Sequence, residues 1–268
     1  MKSIRKLALV LLAAIFLAAL LAEFIAPTPY ALQFRDSTSV QPSLQFPLGT
    51  DQLGRDRFSR LVYGTRVSLL LAPAAALLST LLAALVGGLA GYLGGWWERT
   101  AMTATDLFLS LPWLFLLLTV RAALPLNTPP TTSVLVTFAL LGLLGWPMAA
   151  RVVCAGASSL RTSDIILHAK ASGCRGLRLV LMHVLPNLKP VLRAQFLLSI
   201  PVFILAEANL GMLGLGVADP LPSWGNLLKE LASAAAVRFT PALLVPVLLL
   251  LTVVSCFHIL LSSEEVSA

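Results

Sequence analysis

Charged residues are scarce in this chain, and the places where they gather define the chemistry open to it. Asp51, Arg55, Asp56, Arg57 and Arg60 lie close together just ahead of a long apolar run. Carboxylates and guanidiniums at that spacing can pair with one another or meet charges on another protein. Exposed pairs contribute little individually. The set therefore reads either as local ordering before the run or as a docking surface. Asp106, Arg193 and Glu207 fall near the ends of apolar runs. Charges at membrane depth are costly and point to function by default. They read either as polar lining of a path or as helix-end and helix–helix pairing.

A third set is the basic segment from Arg161 to Gly173, with Leu185-Pro186-Asn187 at a set distance beyond it. It is too polar for a span and too long for a turn. Ser163 is placed to cap a helix and Asp164 to favour its N-terminus. Gly173 is placed at the residue just past its end. The spacing predicts a short helix over about 164–172. Such a helix can seat in a groove on another protein, with the small residues Ala169 and Ala171 allowing close approach. It can equally lie on lipid headgroups, with Lys170 and Arg175 against anionic lipid.

Covalent chemistry finds no support. No Ser is paired with His and Asp in a recognisable motif. No phosphate-cradling Gly-Lys-Ser/Thr loop is present, so the chain is not read as an ATPase. Gly87-Gly88 to Gly95 is Gly-rich, but it lies in an apolar run and lacks the Lys. Cys154, Cys174 and Cys256 fit no zinc spacing, and His168, His183 and His258 are scattered. We therefore expect no catalytic residue, no metal and no cofactor of the chain's own, and assign no substrate-binding residue.

The elements that must position these groups are apolar helices. Of 268 residues, 58% are hydrophobic and 12% charged, about half the charged share of a soluble domain. The mean hydropathy is +0.90. Six apolar runs read as spans: about 7–26, 67–93, 101–124 with a break near Pro112, 133–155 continuing as helix to about 160, 188–210 and 241–261. The first run is too long for a signal-peptide core and reads as an uncleaved span. The expected fold is an all-α polytopic membrane protein, with six transmembrane helices and a cytoplasmic helix between spans four and five.

We divide the chain into an N-terminal span and outward loop (1–66), a membrane core (67–261) and a short tail (262–268). Lys2, Arg5 and Lys6 are expected to place the N-terminus in the cytoplasm, and six spans then return the C-terminus there. Residues 27–65 and 211–239 are then expected outside and ordered. The net charge of +7 follows the basic bias of inner-face loops, and no nucleic-acid module appears.

Several stretches together resemble one family. Pro47-Leu48-Gly49-Thr50-Asp51-Gln52-Leu53-Gly54-Arg55-Asp56-Arg57-Phe58-Ser59-Arg60-Leu61, then Gly64, Arg66 and Ser68-Leu69, form one long gapless match. Gly91-Tyr92-Leu93-Gly94-Gly95-Trp96, Asp106 and Pro112 follow. Glu207-Ala208, Leu213-Gly214-Leu215-Gly216-Val217 and Pro222-Ser223-Trp224-Gly225 complete it. This pattern resembles the second permease subunit of ATP-binding-cassette importers for dipeptides, oligopeptides and nickel, over about residues 45–230. In that family a cytoplasmic helix reads Glu-Ala-Ala, three residues, Gly, then a Pro thirteen residues on. Gly173 and Pro186 keep that spacing. The Glu-Ala-Ala positions fall on Leu167, His168 and Ala169, so the Glu and the first Ala are missing. The chain also ends soon after Ser262-Ser263-Glu264-Glu265, without the family's usual tail.

The resemblance implies an inner-membrane permease subunit forming half of a translocation path. It implies a homologous second permease subunit, two ATPase subunits that hydrolyse the ATP, and an external substrate-binding protein. The ATPase contact would fall on Leu167, His168, Ala169, Lys170, Ala171 and Gly173. Peptides are the first expectation for cargo, with nickel or another small solute second. A stand-alone secondary transporter is the reading from another class, and no inverted repeat with paired broken helices supports it.

Overall fold

The computed structural model describes residues 2–123, 125, 129–234 and 241–265. The end of the third run, part of the turn after it, the end of the 211–239 loop and the last three tail residues lie outside the described residues. Every regular element among the described residues is helical. This is what lipid demands, since a helix satisfies its own backbone.

The first run forms α1 (Lys2–Leu20) and, after a break at Leu21, α2 (Ala22–Ile25). The second forms α3 (Arg57–Ala83), a π turn (Ala84–Gly88) and α4 (Leu89–Leu93). Pro73 sits inside α3. The third run is α5 (Gly95–Ser110) and α6 (Trp113–Ala123), which meet at a 77° bend. The break expected near Pro112 is there, because Pro disfavours helix for the residue before it. Leu111 accordingly takes an extended backbone. The fourth run is a single helix, α7 (Pro130–Arg161). The short basic-segment helix is α8 (Asp164–Ala171).

The fifth run begins earlier than the apolar pattern suggests. Helix resumes at α9 (Gly176–Leu179), passes through a π turn (Val180–Val184) and continues as α10 (Leu185–Met212). Pro186 lies just inside α10, where the wider turn precedes it. The stretch after Gly211 contains α11 (Trp224–Ala234). The last run is a 3-10 turn (Pro241–Leu244) and α12 (Val245–Glu265). Five of these helical stretches are long and apolar enough to cross a membrane, and six if the bent α5–α6 pair counts as one.

The chain divides into two compact units, each discontinuous in sequence. Unit 1 takes Met1–Pro73, Val120–Phe138 and Pro201–Ala268; unit 2 takes Ala74–Thr119 and Ala139–Ile200. In unit 1, α1 packs on α12, and its buried positions include Ala8 and Ala19. Small buried faces of this kind suit lipid, where close packing drives association. Leu7, Val10 and Leu17 on α1 remain exposed.

In unit 2 the glycines of the second run bring two helices into backbone contact. A Cβ at Gly91 would lie 2.3 Å from the Cys154 carbonyl oxygen, and one at Gly87 would meet the Ala150 carbonyl. Ala83, Ala149, Ala150 and Val153 are buried beside them. The close packing here follows from the missing side chains.

Candidate functional site

In unit 1 the charge cluster builds a clamp. Asp51 closes its own turn: Oδ1 accepts from the Leu53 and Arg55 amides at 2.9 and 2.8 Å. Asp56 caps α3, because its Oδ2 accepts from the Ser59 amide at 2.8 Å and the Ser59 hydroxyl at 2.6 Å. A short aspartate immediately before a helix is the expected donor-satisfying residue.

The arginines then reach across the sequence. Arg55 donates to Asp51 at 2.6 Å and to Asp219 at 3.0 Å. Arg60 donates to the Pro220 carbonyl at 3.2 Å and to Asp219 at 3.4 Å. Arg57 pairs with Glu230 at 2.7 Å.

The set is therefore internal, which corrects the picture of an exposed cluster. Asp51, Asp56 and Arg60 are each 2% exposed. Burial works against the Arg55 charge. The hydrogen bond and charge of Asp51, then those of Asp219, outweigh it and push its pKa above the usual guanidinium value. The set is held by long-range pairs to Asp219 and Glu230, which local spacing does not reveal.

Below the clamp, Ser68, Glu207 and Trp224 form a second junction, all three fully buried. The Ser68 hydroxyl donates to Glu207 Oε2 at 3.1 Å and accepts from the Trp224 amide at 3.2 Å. The Trp224 indole N–H donates to Thr65 Oγ1 at 3.0 Å. Gly225 lets α11 close on α10: a Cβ there would lie 2.8 Å from the Glu207 carbonyl oxygen and 2.8 Å from Gly211 Cα. Glu207 thus sits in helix pairing, the structural alternative for its charge.

Why α11 forms is legible afterwards. The Ser223 hydroxyl accepts from the Asn226 amide at 3.3 Å as an N-cap. Trp224, Leu227 and Leu228 then bury one face, at the three-and-four spacing of an amphipathic helix. The Gly and Pro around this stretch masked that pattern.

A cavity of about 450 Å3 lies beside the clamp, between the 51–60 stretch and the 214–230 stretch. Arg121, 3% exposed, lines it. Its Nη2 donates to Ser133 Oγ at 2.9 Å and to the Gly216 carbonyl at 3.4 Å. Sequence reasoning gave Arg121 no role. A guanidinium at the last turn of an apolar helix was the available signal.

In unit 2, α8 carries the basic segment. Ser163 precedes it with extended backbone, but its hydroxyl donates back to the Leu160 carbonyl at 2.7 Å and caps nothing. This corrects the expected Ser163 cap; Asp164 remains in the first turn. Gly173 has φ +82°, the left-handed conformation expected after the helix.

Ile166 and Ala169 turn inward, against Ala157, Leu179, Val184 and Leu188. Ala169 is therefore spent on the chain's own core. The outward face carries Leu167, His168 and Ala171, flanked by Ile165 and Lys170, all exposed. Gly173 is exposed too. Asp106 pairs with Arg151 at 3.4 Å, both half exposed.

Helices of this length and apolarity, joined by a clamped loop and a short surface helix, define an all-α polytopic membrane protein. Residues 79–262 match the family described as binding-protein-dependent transport system inner membrane component. The chain is 32% identical over 216 residues to the dipeptide transport system permease protein DppC of Bacillus subtilis (strain 168), covering 81% of this chain and 66% of that protein. It is 32% identical over 251 residues to the oligopeptide transport system permease protein OppC of Mycobacterium bovis (strain ATCC BAA-935 / AF2122/97), covering 91% and 84%. A putative peptide permease protein of Brucella suis biovar 1 (strain 1330) is 34% identical over 200 residues, covering 75% and 64%. The chain thus spans just under two thirds of the Bacillus and Brucella relatives. It belongs to the binding-protein-dependent inner-membrane transport family, the permease subunits of ATP-driven importers.

Proposed function

We propose that this chain is one of two permease subunits of a peptide importer and contributes half of the translocation path. The observation that carries this reading is the agreement among relatives named as dipeptide, oligopeptide and putative peptide permeases. ATP is hydrolysed by separate subunits, two of them, and an external binding protein delivers the cargo. The chain holds no cofactor of its own.

The ATPase contact falls on the outer face of α8: Leu167, His168, Lys170 and Ala171, with Gly173 ending the helix. An anchored helix supports this role physically. Ile166 and Ala169 fix α8 to the underlying core, so a displaced partner groove moves the core and does not merely swing a loop. With Leu167 and Ile165 exposed at 51% and 52%, the contact relies on apolar packing where the family has a Glu. Both termini are cytoplasmic, and the clamp and its cavity face outside.

The test is uptake of labelled di- and oligopeptides by vesicles holding the chain with the transport proteins encoded beside it, with nickel uptake as a parallel arm. ATP-dependent peptide uptake is expected. Nickel uptake without peptide uptake would replace the cargo. Cysteines introduced at Ser43 and Ser262 should label from outside and inside respectively; labelling of Ser262 from outside would reverse the orientation.

A further inference from the structure

The cavity in unit 1 holds more positive charge than its own walls neutralise. Arg55, Arg60, Arg121 and Lys229 line it, against Asp51, Asp219 and Glu230. Four cations face three acids, and the acids are already claimed. Asp51 and Asp219 bind Arg55 and Arg60, and Glu230 binds Arg57, outside the cavity lining. Among the described residues, neither Arg121 nor Lys229 enters an ion pair within 4 Å.

Arg121 is the more telling of the two. It is 3% exposed, and among the described residues its Nε is buried without a hydrogen-bond partner. Its acceptors among the described residues are a hydroxyl and a carbonyl. A buried cation with neutral acceptors alone keeps most of its desolvation cost. The C-terminal end of α6 favours positive charge there, but a helix dipole gives Nε no acceptor. Lys229 is exposed. Its Nζ lies 3.0 Å from the point a Gly214 side chain would occupy, so the ammonium lies close against the Gly214 turn.

We propose that this cavity binds the carboxylate of a small ligand, with Arg121 as the buried anchor and Lys229 as the exposed second cation. With Arg55, Arg60 and Arg57 matched, Arg121 and Lys229 remain to meet an anion, and the three carboxylates beside them disfavour a multiply charged phosphate. A guanidinium offers a planar fork that matches a carboxylate. The volume lies within the roughly 300–1,000 Å3 range of small-ligand sites. The Asp219 side chain, 65% exposed, is placed to accept an ammonium from the same ligand. The chemistry is that of a zwitterion with free ends, which a short peptide supplies. That identity rests on the proposed function, whereas the anion site does not.

The experiment uses the purified importer with its ATPases in nanodiscs, without the external binding protein. Trifluoroacetate is the probe, followed by fluorine NMR line broadening, with trifluoroethanol as the neutral control. Wild type should broaden trifluoroacetate alone. Arg121→Gln should weaken binding at least about tenfold, as loss of a charge-assisted pair does. Lys229→Gln should weaken it less, and being at an exposed position it decides the matter if Arg121→Gln does not fold. Dialanine should displace the probe and dialanine amide should not.

Unchanged binding in both variants overturns the site. Equal displacement by the amide overturns the carboxylate assignment. Displacement by the binding protein and not by dialanine overturns the small-ligand source. A wild-type importer that binds probe and dialanine yet imports no peptide overturns the proposed function and leaves the site standing.

Discussion

Ser68→Ala tests whether the junction of Ser68, Glu207 and Trp224 holds unit 1 together. The Ser68 hydroxyl serves two buried partners, donating to Glu207 and accepting from the Trp224 amide. Removing it strands the buried Trp224 amide and takes one donor from Glu207, which keeps Ser223 and the Gly225 amide. The stranded amide costs about 1–3 kcal/mol and the lost hydrogen bond to Glu207 about 0.5–1.5 kcal/mol more, so the sum is about 1.5–4.5 kcal/mol. Thr65→Val is nearly isosteric and strands only the Trp224 indole N–H, for about 1–3 kcal/mol. Glu207→Gln keeps an acceptor for the Ser68 hydroxyl and should cost the least. The assay is unfolding by SDS titration in mixed micelles, followed by tryptophan fluorescence. The expected order of destabilisation is Ser68→Ala, then Thr65→Val, then Glu207→Gln. If Ser68→Ala unfolds with wild type, or Glu207→Gln falls as far as Ser68→Ala, the hydrogen-bond account of this junction is wrong.

Arg60→Met should free the Pro220 carbonyl and leave Asp51 and Asp219 with Arg55 as their one guanidinium; trypsin or chymotrypsin should then cut the 27–56 loop faster in the intact complex, and an unchanged cutting rate would count against the clamp. Ala169→Trp should overpack the core beneath α8 at a cost of about 1–3 kcal/mol, visible as lower stability of the chain without its ATPases. Ala171→Trp, on the opposite face, should leave that stability alone and reduce ATPase capture and uptake; the reverse pattern would exchange the two faces. Asp106→Asn breaks only a half-exposed pair, so a stability change within about 1 kcal/mol is expected, measured by the same SDS titration.

The spans were legible because lipid imposes a strong rule on composition. Long apolar runs must be helical, and Pro112 marks its bend through a constraint on its immediate neighbour. Residue-to-residue rules of this kind act locally, so a sequence displays them. The clamp obeys a different logic. Arg55 meets Asp219 across 164 positions, and nothing in the spacing of 51–60 points there. The surplus of arginines in one loop could only signal that acids elsewhere must answer it.

The same distinction explains α8. Its existence follows from local polarity, and Gly173 ends it by a backbone preference. Which alanine faces a partner depends on where Leu179, Val184 and Leu188 come to lie, beyond the segment itself. The helical continuation through Val180–Val184 brings them there, and the apolar pattern placed that span's start later. Placing the start at about 188, some twelve residues beyond Gly176, thus hides the inward face of α8. Ala169 and Ala171 look equivalent in sequence, two small residues on one short helix. Their 200° separation around the helix axis, two steps of about 100°, is what assigns one to the core and leaves the other for a partner.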